Sequence, residues 1–570
     1  METQNPRIKP LLNHSFCIKN MPRYHSFLIK RPKTTLSLKF LQDVNTWFSS
    51  RRSDRKIQTK LHKALKLLKA IKKLDLSEYQ AQDKSISQAK LLSIFKRVSK
   101  AKVISMIKVR DLDHLEKGFT ETWLRYLPHI LHLSWGLRFL DPQLNVQDFV
   151  HRQSPDPLRY LKYCPKIKSL KVNQSISSEV FLQQALQFKR YPSSLRRLDV
   201  KARLRAELLN LSFKHFQGLK SLAFTADYSW TPFSTFQIMD TLSRMENLQE
   251  IDFQFLRSLP LEIDMIFEKI FQRGILKKIQ LEFDSEISNS QKIFQALKTC
   301  PLTHFSLRVP SMNDKMLGSI SNFLEDMDLL ETLKLSIGEL CYSPPPEPIN
   351  KKISKLQNLR HLELSFKSQW RGNSYREINH FIPNLPINLE TFHFECTQID
   401  STKAFDRLIT LLEGSYDSLQ KLTIILESHS PFEESRQKIL AFLRKLQNIQ
   451  ELRLPCLKIA SLKFTNDIAR VVQALKYLCT FQIGKILNQL QMVEFLPVLR
   501  MILKKIGLRE FYCFTEPNFL KEVGILRGDR GFGSIMNGKE ILKVNPYLER
   551  VDFSLIGYNA NLLFEEIQNW

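Results

Sequence analysis

LRHLEL at 359–364, LETFHF at 389–394 and LQKLTI at 419–424 are three copies of one six-residue pattern: apolar, two polar, apolar, polar, apolar. In an extended strand such alternation sends the last two apolar side chains to one face and the residues beside them to the other. Working outward, the pattern returns as IKSLKV at 167, LRRLDV at 195, LKSLAF at 219, LQEIDF at 248, LKKIQL at 276, LTHFSL at 302 and LETLKL at 330. It continues as IQELRL at 449 and, in weaker form, LCTFQI at 478, LREFYC at 508 and LERVDF at 548. With 43% hydrophobic residues, three apolar positions coincide in about 8% of windows, so a single match carries little weight. Spacing and the intervening residues carry more. Successive starts from 167 to 508 lie 24 to 30 residues apart, and only Ala223, Cys479 and Tyr512 are apolar among the 42 intervening positions of the fourteen copies.

Between these strands lie helical patterns such as QKIFQALKT at 291–299 and ESRQKILAFLRKLQ at 434–447, with apolar residues at three- and four-residue intervals. A strand and a helix in each unit predict an α/β solenoid: a horseshoe with a concave parallel β-sheet and convex helices. Earlier copies are read at IKKLDL (71), ISMIKV (104) and ILHLSW (130). Leu562, Leu563, Phe564 and Ile567 supply an apolar patch able to close the far end. The expected organisation is a basic, partly disordered extension over 1–55, then a solenoid of 14 to 17 units with terminal caps over 56–570.

On these residues the chain resembles the leucine-rich-repeat family, in particular the ribonuclease-inhibitor-like and cysteine-containing members. Cys164-Pro165 and Cys300-Pro301, each just upstream of a strand, are similar to the Cys-Pro step of the cysteine-containing class. The Asn or Cys usual two residues beyond the strand is replaced by Ser175, Arg203, Asp227, Leu256 and Asp284. The resemblance implies a protein-interaction scaffold and, because many cysteine-containing members carry an F-box ahead of the array, a ubiquitin-ligase substrate receptor. No F-box is recognisable here: FLQDVNTWF at 40–48 lacks the Leu-Pro opening.

The formal net charge of +28 is unevenly spread. Residues 1–110 hold 26 Lys and Arg against 6 Asp and Glu, whereas the other 460 hold 59 against 51. The fourteen hexads present 13 basic and 10 acidic intervening side chains, a balance that suits a protein partner better than a phosphate backbone. The candidate partner-binding residues on the concave face are Lys278, His304, Lys334, His361, Glu363, His393, Lys421 and Arg453. His361, His393 and Glu363 are of metal-ligating types, but the two histidines occupy different pleat positions, and ordinary polar contacts are the expectation.

KRPK and RRSDRK give a candidate basic arm of Lys30, Arg31, Lys33, Arg51, Arg52, Arg55 and Lys56, readable as a nuclear-import signal, a nucleic-acid-binding arm or a solvated tail. The early prolines Pro6, Pro10, Pro22 and Pro32 oppose a mitochondrial presequence. Ile57, Leu61, Ala64, Leu65 and Leu68 share one face of a basic amphipathic segment, read as an N-terminal cap or as a membrane- or groove-binding helix. SPPPEP at 343–348 reads as a stiff loop and GDRGFG at 528–533 as part of a flexible insertion. Eight scattered cysteines form no CxxC pair, and no stretch is apolar enough to span a membrane. With no HExxH, nucleophile elbow or kinase signature, neither catalysis nor a cofactor is expected, and the cytoplasm or nucleus is the expected compartment.

Overall fold

The computed structural model describes residues 35–37, 73–76, 106–109, 132–136, 166–173, 195–204, 218–226 and 240–255, most of 267–339, 347–366, 385–396, 401–426, 436–457, 462–485, 492–515 and 550–555, and a few single residues. It divides into two compact units, Met1–Leu276 and Lys277–Trp570. In the first, eight strands pair in sequence order and all in parallel: β1 (Thr35–Ser37), β2 (Lys73–Leu76), β3 (Met106–Val109), β4 (His132–Gly136), β5 (Ser169–Asn173), β6 (Arg197–Leu204), β7 (Ser221–Ala226) and β8 (Glu250–Phe255). The second continues the scheme with β9 (Lys278–Phe283), β10 (His304–Ser311), β11 (Thr332–Glu339), β12 (His361–Phe366), β13 (Thr391–Cys396), β14 (Lys421–Leu426), β15 (Glu451–Leu454), β16 (Thr480–Lys485), β17 (Glu510–Thr515) and β18 (Arg550–Leu555).

Its helices are α1 (Ser290–Leu297), α2 (Asp314–Glu325), α3 (Glu347–Ile353), α4 (Ser401–Leu411), α5 (Arg436–Lys445), α6 (Leu462–Ala474) and α7 (Met492–Leu503). In both units the described strands pair in parallel and in sequence order, and the chain is an α/β solenoid. Strand β1 pairs with β2, so the ladder takes in residues upstream of 56. Helix α3 begins inside SPPPEP, at Glu347, with Pro348 in the first turn, where its missing N–H costs no helical bond.

Every hexad start from Ile167 to Leu548 is buried, at 6% exposure or less. The first apolar residue therefore packs in the core alongside the two strand residues that follow it. Counting that residue as position one, positions four and six point inward, as in Leu362 and Leu364 or Phe392 and Phe394. The alternation then runs two residues past the hexad. Position eight is buried as Phe283, Val309, Ile337, Phe366, Cys396 and Leu426. The inward columns stack apolar groups from strand to strand, with Phe366 and Phe394 ring centroids 6.2 Å apart and those of Phe481 and Phe511 6.0 Å apart. Helices close the core from the other side: α2 is capped by the Asn313 side chain, which accepts from Met316 N at 3.0 Å, and it buries Met316, Ile320, Phe323 and Leu324.

A second device fixes the register. The carbonyl of position two accepts two backbone N–H bonds from positions two and three of the next hexad. Glu390 N and Thr391 N both donate to Arg360 O, at 2.8 and 3.0 Å, and Gln420 N and Lys421 N both donate to Glu390 O, at 2.8 and 3.0 Å. A carbonyl has two lone pairs, and here both are used.

Where units approach closely the side chain must shrink. A Cβ on Gly484 in β16 would meet Pro455 O at 2.3 Å and Leu457 O at 2.4 Å, whereas one on Gly318 in α2 would meet nothing within 4 Å. Gly484→Ala is therefore expected to lower the thermal unfolding midpoint, and Gly318→Ala to stabilise the protein by up to about 1 kcal/mol through helix propensity. Differential scanning calorimetry of the two variants checks the opposed signs.

Candidate functional site

The register sorts the sequence-predicted residues into two columns on the exposed sheet face of the second unit. One column, at position three, runs Lys278, His304, Thr332, His361, Thr391, Lys421 and Glu451 across β9 to β15. The other, at position five, runs Lys334, Glu363, His393, Thr423 and Arg453 across β11 to β15. All eight candidates on this face are half-buried or exposed. The seven residues of the basic arm, the amphipathic segment over 57–68 and the glycine-rich 528–533 lie outside the described residues.

Residues of the same or the next strand hold several of these side chains in pairs. Lys334 Nζ is 2.6 Å from Glu363 Oε2, and Lys421 Nζ is 3.3 Å from Glu451 Oε2. Arg453 Nε lies 2.7 Å from Glu451 Oε1, and the Arg453 guanidinium sits 5.7 Å from the centre of the Tyr512 ring. At position two, Arg360 reaches Glu390 at 3.1 Å. The histidines are held by hydroxyls: His361 Nδ1 lies 3.1 Å from Thr391 Oγ1, and His304 Nδ1 lies 2.8 Å from Thr303 Oγ1. Exposed ion pairs of this kind add at most about 1 kcal/mol each. Their larger effect is to fix where each charge stands.

A third column extends the face. Glu282, Arg308, Ser336, Ser365 and Glu395 occupy position seven, and Arg308 pairs with Glu282 at 3.0 Å while Ser365 Oγ donates to Glu395 Oε2 at 2.6 Å. A six-residue reading stops one position short of it. The signal that finds it is the continued alternation in Leu281-Glu282-Phe283, Leu307-Arg308-Val309 and Phe394-Glu395-Cys396.

His393 is the centre of this arrangement, opposite Glu363 by register and two residues from Glu395 on its own strand. Burial holds its pKa below the ordinary 6.5; Glu363 and Glu395 pull the other way, and Lys334 and Arg453 reinforce the lowering. Among the described residues, no group of three His, Cys, Asp or Glu side chains is placed to hold a metal ion. Among the described residues, Cys300, Cys396, Cys456 and Cys513 are buried and Cys479 is half-buried. Burial pushes the Cys456 thiol up to about 12, which keeps it protonated and unreactive. On the helix side, a groove of about 440 Å³ between α4 and α5 is lined by Ile409, Tyr416 and Phe442 and bridged by Lys438–Asp406 at 2.9 Å and Lys445–Glu413 at 3.7 Å.

No family model matches the chain, and no curated protein matches it. Among solved structures it is similar to one described as the crystal structure of the Rad7 and Elc1 complex in yeast, with a TM-score of 0.32 and 16% sequence identity, over 82% of this chain and 91% of that one. What the strand ladder itself shows is the fold, an α/β solenoid. Among its described residues, no helix is long and apolar enough to cross a membrane.

The pKa of His393 has a consequence for stability. As pH falls below 6.5, the unfolded chain takes up a proton that folded His393 still refuses, so stability is lost in the window between 6.5 and the lowered folded value. His393→Gln is expected to flatten the fall in thermal midpoint between about pH 7 and 5.5. An unchanged slope would show that His393 is not the group responsible.

Proposed function

We propose that this chain is a non-catalytic interaction scaffold that binds a protein partner on the exposed sheet face of its second unit. The observation that carries this reading is the set of in-register polar columns, in which Lys334 and Glu363, Lys421 and Glu451 are already paired across neighbouring strands and Arg453 is paired with Glu451 on its own. Side chains ordered before binding lose little further rotamer freedom on contact, which is the entropic advantage of a preorganised surface. The charge pattern favours a protein over a nucleic acid. Arg308, Lys334, Arg360, Lys421 and Arg453 each face a carboxylate, so the face offers alternating signs and no run of positive potential for phosphates to follow.

The basic residues over 1–110 give a second reading its own observation, a net charge of +20 from 26 Lys and Arg against 6 Asp and Glu. On that reading the arm binds nucleic acid or directs nuclear import, and the repeats serve it as a support. The two readings separate in the full-length chain. In affinity purification from the native cell, a Lys334→Ala, His361→Ala, Arg453→Ala triple variant is expected to lose its protein partners by about tenfold, a loss typical when central interface residues are truncated. Neutralising Lys30, Arg31, Lys33, Arg51, Arg52, Arg55 and Lys56 is expected to leave those partners in place. The opposite result, partners lost with the arm and kept with the altered face, overturns the scaffold reading in favour of the arm. The narrower version, a ubiquitin-ligase substrate receptor, requires that an adaptor of the Skp type purify with the full chain, and absence of that adaptor removes it.

A further inference from the structure

Charged ends on the sheet face are mostly answered on the spot: Lys334 by Glu363, Lys421 by Glu451, Arg308 by Glu282, and Glu395 by the Ser365 hydroxyl. Arg453 differs. Its side chain, 37% exposed, is fixed at two points, by Glu451 Oε1 at 2.7 Å from Nε and by the Tyr512 ring centred 5.7 Å from the guanidinium carbon. Tyr512 is fixed in turn, its hydroxyl donating at 3.2 Å to Glu510 Oε2, which also accepts from Thr480 Oγ1 at 3.3 Å. These contacts leave the far end of the fork open. Among the described residues nothing is bonded to Arg453 Nη1 or Nη2. A guanidinium cannot shed the N–H groups it leaves unused, because it stays protonated throughout the physiological range.

Register sets Thr423 and Gln482 directly on either side of Arg453, on β14 and β16. Both are half-buried, and neither the Thr423 hydroxyl nor the Gln482 amide has a hydrogen-bond partner among the described residues. With strands about 4.8 Å apart, three adjacent side chains therefore offer donors within a span of about 10 Å. Ile425 and Pro455, two residues on from Thr423 and Arg453, are half-buried and give this stretch an apolar border.

The charge of the neighbourhood limits what those donors can hold. Glu451 is shared between Lys421 and Arg453, so the three together carry one net positive charge. His393, beside Thr423 by register, has its pKa held below 6.5 by burial and adds no charge at neutral pH. Glu510 and Asp552 stand farther along the face, on β17 and β18. A single excess charge with acids nearby suits a monoanion. A phosphate monoester, at about −1.5 to −2, would be left with uncompensated charge beside those acids. The open fork also matches the planar shape of a carboxylate, which it can meet with two parallel bonds.

We propose that Arg453, flanked by Thr423 and Gln482, is the anchor of the sheet-face contact and receives the carboxylate of an Asp or Glu side chain of the protein partner. This rests on the scaffold reading and adds the chemistry of the partner to it. Glu451 and Tyr512 hold the guanidinium in position, and Thr423 and Gln482 bond the groups on either side of the incoming carboxylate. Ile425 and Pro455 cover its aliphatic stem. An arginine stacked on a tyrosine is the kind of pair that carries a large share of binding energy at interfaces.

The probe is a phage-displayed library of random peptides of about twelve residues, selected on the full chain, with each enriched peptide then synthesised, labelled and titrated by fluorescence anisotropy at about 150 mM salt. The enriched peptides are expected to share an Asp or Glu whose exchange for Asn or Gln weakens binding about tenfold, and Arg453→Gln is expected to weaken the parent peptide about tenfold. Combining the two is expected to cost little more than either alone, the coupling of groups in direct contact. Phosphoserine at the same place is expected to bind more weakly than the acid. If Arg453→Gln lowers the thermal midpoint, Thr423→Val with Gln482→Leu, which leaves the arginine in place, carries the same cycle with a several-fold loss. The proposal is overturned by losses that multiply to about a hundredfold, by enriched peptides that need no carboxylate, or by tighter binding of phosphoserine. Peptides weakened by Lys334→Ala with His361→Ala but indifferent to Arg453→Gln overturn it and leave the scaffold reading standing. A library that yields no peptide sensitive to either set overturns both.

Discussion

One shared carbonyl per unit sets the geometry of the ladder. Because the position-two oxygen accepts from both position two and position three of the following hexad, each strand is seated in one register relative to the last. A slip by a single residue would turn every inward side chain outward, taking Leu362, Leu364 and Phe366 from the core and replacing them with His361, Glu363 and Ser365. The bond pattern and the apolar pattern thus specify the same register. Agreement of that kind between local bonding and burial is what lets a repeat array fold without a single central core.

The polar columns of the sheet face are a consequence of the same register. Residues fourteen to thirty-odd positions apart in ordinary folds meet by chance of topology; here residues one repeat apart are placed side by side by construction, as Lys334, Glu363 and His393 are. The result is a surface on which charges are set in opposed pairs and a desolvated imidazole, that of His393, lies near two carboxylates. The helix-to-strand edge obeys a different rule. There the turns hold each other through side-chain amides and strand N–H groups, which leaves residues such as Tyr477 and Ile506 released from any part in the core.

Much of this was legible in the sequence. The hexads at 167 to 548 all fall on strands or lead into them, as do the weaker copies at 71, 104 and 130, because a period of two inside a period near 30 has few other physical solutions. The eight candidate residues of the sheet face lie on that face because alternation alone places them there. Position seven was harder to see. Ser336 and Ser365 dilute its charge, and only the apolar residues at position eight reveal that the strand continues. The division at Leu276 likewise leaves no mark on the hexads either side of it.

Hydrogen–deuterium exchange of the full chain, resolved to overlapping peptides, tests the shared-carbonyl ladder most directly. Slow exchange is expected to recur at intervals of about 30 residues, centred on the hexads at 330, 359, 389, 419 and 449, with the amides of positions two and three protected along with the strand. Fast exchange at Arg360, His361, Glu390, Thr391, Gln420 and Lys421, or protection that does not follow the repeat spacing, would contradict the ladder and the columns built on it.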